Sequence, residues 1–122
     1  MTTHTVLIVD DDRDIRDSLV EVLEDHGYHA VGAGNGREAL DTLRTSAEVP
    51  CLILLDLMMP VMDGREFREE QLKHPEWTDI PVIVISAYND VAEQARALEA
   101  EHLRKPLGMR PLIDAVRRYC AG

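Results

Sequence analysis

The sequence of 122 residues predicts an α/β fold: a doubly wound, five-stranded parallel sheet with helices on both faces. Three observations carry that prediction. Short apolar runs recur along the chain, and segments with helical spacing lie between them. The runs are also apolar nearly throughout instead of alternating, as strands covered on both faces are.

The elements follow in order. "TVLIV" (5–9) is the first strand, after which Ile15, Leu19, Val22 and Leu23 fall at helical spacing, with Gly27 placed as the stop. "HAVGA" (29–33) is the second strand, and Asn35 with Glu38 resembles a capping box ahead of Ala39, Leu40 and Leu43. "CLILL" (51–55) is the third strand, "KHPEWTDIP" (73–81) reads as a loop, and "PVIVIS" (81–86) is the fourth strand. Asp90 and Glu93 repeat the capping spacing before Ala95 and Leu98, and a weaker fifth strand is "EHLRK" (101–105). Pro111 suits a first helical turn, and Leu112, Ile113, Val116 and Cys120 make one stripe after it. The order reads β-α five times, with no internal repeat or linker, so a single domain is expected over 1–122 with its core at about 5–120.

Composition narrows the function. The 13 Lys+Arg against 23 Asp+Glu give a net charge of −10, which argues against nucleic acid and suits cations and basic protein surfaces. Cys51 and Cys120 have no close-spaced Cys or His companions, so two ordinary thiols are expected, without a zinc site or a disulfide framework. "MTTHT" reads as a natural beginning without a leader, and no apolar stretch approaches the ~18 residues of a membrane span. A soluble, cytoplasmic protein with no membrane partner is the expectation.

In a parallel sheet of this kind the functional crevice lies beyond the carboxyl ends of the strands. Those ends present Asp10 and Asp11, Asp56, Ser86 and Lys105. Three converging carboxylates would repel one another, and a divalent cation relieves that repulsion; oxygen-only ligands favour magnesium, which commonly completes its shell with phosphate oxygen. A hydroxyl from Ser86 and an ammonium from Lys105 would then bind a phosphoryl group being transferred to a carboxylate oxygen of Asp56. Each residue also has a plainer role. Asp10 to Asp12 would serve as helix caps, a role that suits Asp12 best. Asp56 would be a surface turn residue and Lys105 a solvated loop lysine. His4, His26, His29 and His74 are scattered and read as surface or loop residues.

With "VLIVDDD", "LILLDLMMPVMDG", "PVIVISA" and "RKP" in order and at compatible spacing, the chain resembles the receiver domains of bacterial two-component response regulators over about residues 5–120. The resemblance implies a flavodoxin-like (βα)5 fold and a signalling phosphoacceptor, not an enzyme, although one that assists its own phosphorylation and dephosphorylation. It implies a histidine kinase or histidine phosphotransfer protein as donor and a further protein as target. By the same resemblance Asp10, Asp11 and the Met58 carbonyl hold magnesium with Asp56, the phosphoacceptor. Ser86 is the switch hydroxyl, Lys105 binds the phosphoryl group, and Gly64 is the turn glycine after Pro60 and Asp63. The Lys105-Pro106 bond is expected to be cis, and Met58 and Tyr88 to keep water from the phosphorus.

The chain departs from the family pattern beyond the site. His102 stands where receivers place Tyr or Phe, and Leu107 replaces the aromatic residue that often follows Lys-Pro. Ser86 and Lys105 are 19 positions apart, roughly one helical turn fewer than usual, so the fourth helix or its exit is expected to be trimmed. His102 either swings inward with Ser86, in a pH-dependent way, or stays exposed. Two other functions remain open at this point: a magnesium-dependent phosphatase using an aspartyl phosphate, and a degenerate receiver acting as a binding module. No room for a cap domain and the lack of an Asp-x-Asp pattern at Asp56 count against the first.

Overall fold

Each apolar run forms a strand: β1 (Thr5–Val9), β2 (His29–Ala33), β3 (Leu52–Asp56), β4 (Val82–Ser86) and β5 (Glu101–Arg104). A computed structural model describes residues 5–86, 93, 95, 96, 98, 100–105 and 107–120. The strands make one parallel sheet in the order β2-β1-β3-β4-β5. Successive side chains of a strand point to opposite faces. In β1, Leu7 and Val9 therefore enter one core with Leu40, Phe67 and Trp77, while Val6 and Ile8 enter the other with Leu23, Leu112 and Val116. Two apolar layers, one on each face, are the reason the central strands β1, β3 and β4 show no alternation in sequence, whereas the edge strands β2 and β5 keep exposed positions.

Four helices have both ends among the described residues: α1 (Arg13–Asp25), α2 (Gly36–Thr45), α3 (Gly64–Leu72) and α4 (Met109–Cys120). Asp12 caps α1, its side chain accepting from the N–H groups of Asp14 and Ile15. Gly27, at φ 89°, ends that helix in the left-handed conformation glycine adopts without cost. Asn35 caps α2 through the Glu38 N–H, but the Glu38 carboxylate accepts from Gly34 N–H, so the expected box closes one residue early. The reciprocal box forms instead at α3, between Asp63 and Glu66.

Between β4 and β5, Glu93, Ala95 and Arg96 are helical; Asp90, and with it the capping pair expected there, lies outside the described residues. The exit is short. Ala100 N–H donates to the Ala95 carbonyl at 2.9 Å, and β5 starts at the next residue. Tyr88 and Pro106, and therefore the shielding role of the first and the peptide geometry before the second, also lie outside the described residues.

The segment 73–81 is a loop, yet it contributes to the core: Trp77 and Ile80 are buried against it. A polar network beneath holds them. Buried Gln71 donates through Nε2 to the carbonyls of Trp77 (2.9 Å) and Ile80 (3.2 Å). Its Oε1 accepts from Arg68 Nη1 at 2.8 Å, and Arg68 Nε donates to the Leu98 carbonyl at 2.9 Å. One guanidinium thus joins α3 to the exit that leads into β5.

The structure corrects the expectation for the cysteines. Cys51 and Cys120 are joined as a disulfide across 69 positions, with Cα atoms 5.5 Å apart. Close spacing in sequence was the wrong criterion, because the start of β3 and the last turn of α4 meet in the same apolar layer.

Candidate functional site

The strand order reverses at β1, so the carboxyl ends of β1 and β3 lie side by side at the topological switch point, where crevices form. Asp10 and Asp56 stand there, at 2% and 6% exposure, and Asp11 is exposed beside them. One carboxylate oxygen from each of Asp10, Asp11 and Asp56 falls within 4.8 Å of the others, the only such acidic group among the described residues. This hard, oxygen-only donor set fits a magnesium ion and offers nothing to a thiophilic metal.

Backbone geometry sets each carboxylate. Asp10 Oδ1 accepts from Asp12 N–H at 2.9 Å, and Asp10 is fixed from both sides by its N–H to the Ala33 carbonyl and by Arg16 Nη1 to its own carbonyl. Arg16 was not legible as a site-supporting residue. Its stem lies over Gly32, where a Cβ would come within 2.9 Å of Cδ, so the glycine in β2 is the one trace it leaves in the sequence. Asp56 Oδ1 accepts from Met58 N–H at 3.2 Å. Lys105 Nζ sits 3.3 Å from Oδ2 of both Asp10 and Asp56.

Ser86 is buried at the end of β4, opposite Arg104 in the register, and its carbonyl accepts from Lys105 N–H at 3.0 Å. The strand pairing itself therefore brings Ser86 and Lys105 to the same rim as Asp56. His102 pairs with Val84 in β5 and its side chain is exposed, outside this group. His26 and His29 are exposed, as expected, and His74 packs against Trp77 with ring centroids 4.4 Å apart and the rings tilted by 40°.

Burial and then the neighbouring Asp10 charge push the Asp56 carboxyl up to about 6, against the opposing pull of Lys105. Burial pulls the Lys105 ammonium down, but the charges of Asp56 and Asp10 and their hydrogen bonds outweigh it, leaving the group raised and charged. A carboxyl whose folded pKa exceeds its unfolded value makes the folded state bind protons more tightly. Its burden on stability is full above pH ~6 and fades as pH falls towards ~4, the unfolded value. Metal-free protein is therefore expected to gain stability relative to Asp56→Asn between pH 7.5 and 5, measured by urea unfolding across that range. A parent-to-variant difference that stays constant with pH would contradict it.

The loop after β3 is shaped by one close approach and one residue at positive φ. Gly64 opens α3 with its N–H on the Leu57 carbonyl, and a Cβ there would lie 2.5 Å from the Asp56 carbonyl oxygen. Its glycine is needed for that contact, since it is not in a positive-φ turn. Val61 is: a β-branched residue at φ 67° with 81% exposure. Such a conformation costs ~1–2 kcal/mol for an L-residue, and almost no burial offsets it. Val61→Gly is expected to stabilise the protein by about 0.5–1 kcal/mol after the entropy of glycine is allowed for, read as a higher urea midpoint at unchanged slope.

A family model described as the response regulator receiver domain matches residues 6–117. The chain belongs to the receiver family. Among relatives of this receiver, sporulation initiation phosphotransferase F of Bacillus subtilis is 38% identical, over 98% of this chain and 95% of its own length. Response regulator MprA of Mycolicibacterium vanbaalenii is 36% identical, and the chain spans about half of it (48%). In structure the receiver superposes on the chemotaxis response regulator CheY4 of Vibrio cholerae with a TM-score of 0.86 at 29% identity, over 97% of this chain and 99% of that one. A response regulator from Chloroflexus aurantiacus gives 0.87 at 28% identity, over 98% and 99%. The doubly wound parallel fold is thus that of the receivers, and nothing in these likenesses favours a phosphatase. Among the described residues no helix is long and apolar enough to cross a membrane.

Proposed function

We propose that this receiver accepts a phosphoryl group on Asp56 from a phosphohistidine of a kinase or phosphotransfer protein, in a magnesium-dependent reaction. The observation that carries the proposal is the placing of Lys105 Nζ at 3.3 Å from both Asp10 and Asp56 beside the three-carboxylate group. An Asp56 oxygen attacks phosphorus, the phosphorus–nitrogen bond to the donor imidazole breaks, and the imidazole keeps the electron pair. Lys105 is within reach of the phosphoryl oxygens that arrive at Asp56, and Ser86, at the end of the neighbouring strand β4, offers its hydroxyl to the same oxygens. When bound by Asp10, Asp11, Asp56 and the Met58 carbonyl, magnesium supplies positive charge for those oxygens. Half-exposed Met58 then stands over the new acyl phosphate, limiting water.

The donor meets an apolar groove of about 650 Å³ between α1 and α4, lined by Ile15, Leu19, Val22, Leu107 and Leu112 and reaching Lys105. A helical donor seated in it would bring its histidine to the rim. The phosphorylated receiver then passes its signal to a protein target through the surface that Ser86 and His102 border. In the presence of magnesium, acetyl phosphate or a phosphohistidine donor is expected to add one phosphoryl group, seen in the intact mass, and chelation of the metal is expected to prevent it. Equal incorporation in excess chelator would overturn the role given to the acidic group.

A further inference from the structure

The cysteine pair lies at the end of the sheet opposite the acidic rim. Cys51 directly precedes β3, whose far end is Asp56, and at ~3.3 Å per residue the two are separated by most of the sheet's height. Cys120 is fully buried in the last turn of α4, whereas Cys51 is half-buried. Nothing in the phosphoryl chemistry uses either sulfur.

We propose that Cys51 and Cys120 form a reversible thiol–disulfide site, with a protein-borne or small dithiol as co-reactant, whose closure clamps the end of α4 to the sheet. Their Cα separation of 5.5 Å lies in the range a disulfide spans without moving the backbone. Both redox states are provided for. Cys51 Sγ is 3.2 Å from the Thr5 carbonyl oxygen, which a Cys51 thiol would donate to, and Cys120 sits among Val116, Leu112 and other apolar groups that receive a neutral thiol without loss.

The asymmetry in burial sets the order of events. An incoming thiolate attacks Cys51 Sγ, the more accessible sulfur; the bond to Cys120 breaks, and Cys120 leaves as a thiolate and takes a proton. The second thiol of the dithiol attacks its own sulfur in the mixed disulfide, releasing Cys51, which is protonated in turn. Two electrons and two protons pass to the chain, and the dithiol becomes a disulfide. In the reduced chain the last turn of α4 keeps its apolar burial and the Arg118 and Tyr119 bonds to Glu101, but loses its covalent tie to β3.

The test uses the full chain. One sample is equilibrated with oxidised glutathione and another with dithiothreitol, both under native conditions, and thiols are counted by alkylation after acid quenching. No alkylable thiol is expected in the first and two in the second. Closing a 69-residue separation is expected to raise the melting temperature of the oxidised form by about 10 °C, and Cys51→Ser is expected to melt like the reduced parent in either buffer. Amide exchange over Arg117–Cys120 is expected to be faster in the reduced chain, with β1 unchanged. Two free thiols after oxidised glutathione, no release of thiols by dithiothreitol from the native chain, or equal melting and exchange in the two forms would each overturn the proposal.

Discussion

Asp56→Asn is expected to abolish phosphoryl incorporation from acetyl phosphate and magnesium, leaving an intact mass without the phosphoryl increment. The amide nitrogen and oxygen keep the shape of the side chain, so the Met58 N–H retains an acceptor at 3.2 Å and the loop keeps its path. What disappears is the proposed nucleophile. The same substitution removes one of two buried carboxylates that share Lys105, so the variant is expected to be more stable than the metal-free parent at pH 7.5. Loss of label with increased stability separates a missing nucleophile from a damaged fold. An undiminished mass increment in the variant would place the phosphoryl group elsewhere.

Arg68→Ala is expected to cost about 3 kcal/mol or more, the largest stability effect of any single polar substitution suggested by this structure. The buried Leu98 carbonyl and Gln71 Oε1 would each lose a donor, at ~1–3 kcal/mol apiece, and the arginine stem would leave a void. Arg68→Lys is expected to recover little, because an ammonium cannot reproduce two divergent N–H groups from one planar fork. Urea unfolding of both variants decides the matter. A loss below ~1 kcal/mol for Arg68→Ala would show that water reaches these acceptors and that the network is not a clamp.

These two residues mark where the sequence was readable and where it was not. Asp56 was legible because a single charge at the end of "LILLD" stands out against an apolar run, and strand ends are where a parallel sheet places its chemistry. The same logic located Asp10, Asp11, Ser86 and Lys105, and apolar strands with helical segments between them located the sheet. Arg68 and Gln71 were hidden by their own polarity. They occupy the buried face of α3 with Gly64 and Phe67, at the i, i+4, i+7 and i+3 positions, where a reading based on apolar spacing finds only one large apolar residue. Arg16 escaped for a similar reason, since its partner at the site is a backbone carbonyl. The disulfide was missed because pairing depends on which chain ends meet in space, and a parallel sheet brings residue 51 to residue 120 without any local sign.

The placing of Lys105 between two carboxylates has a consequence for which ions the rim will prefer. Asp10, Asp11 and Asp56 set three carboxyl groups against one ammonium, and the excess of two acidic groups matches the charge of a single divalent ion. A sodium or potassium ion would leave the pocket still negative, however abundant it is in solution, and would need a second ion crowded beside it. A trivalent ion would overshoot. If the rim holds a cation as proposed, the tethered lysine would act as a built-in counterweight that favours a divalent visitor over a monovalent or trivalent one.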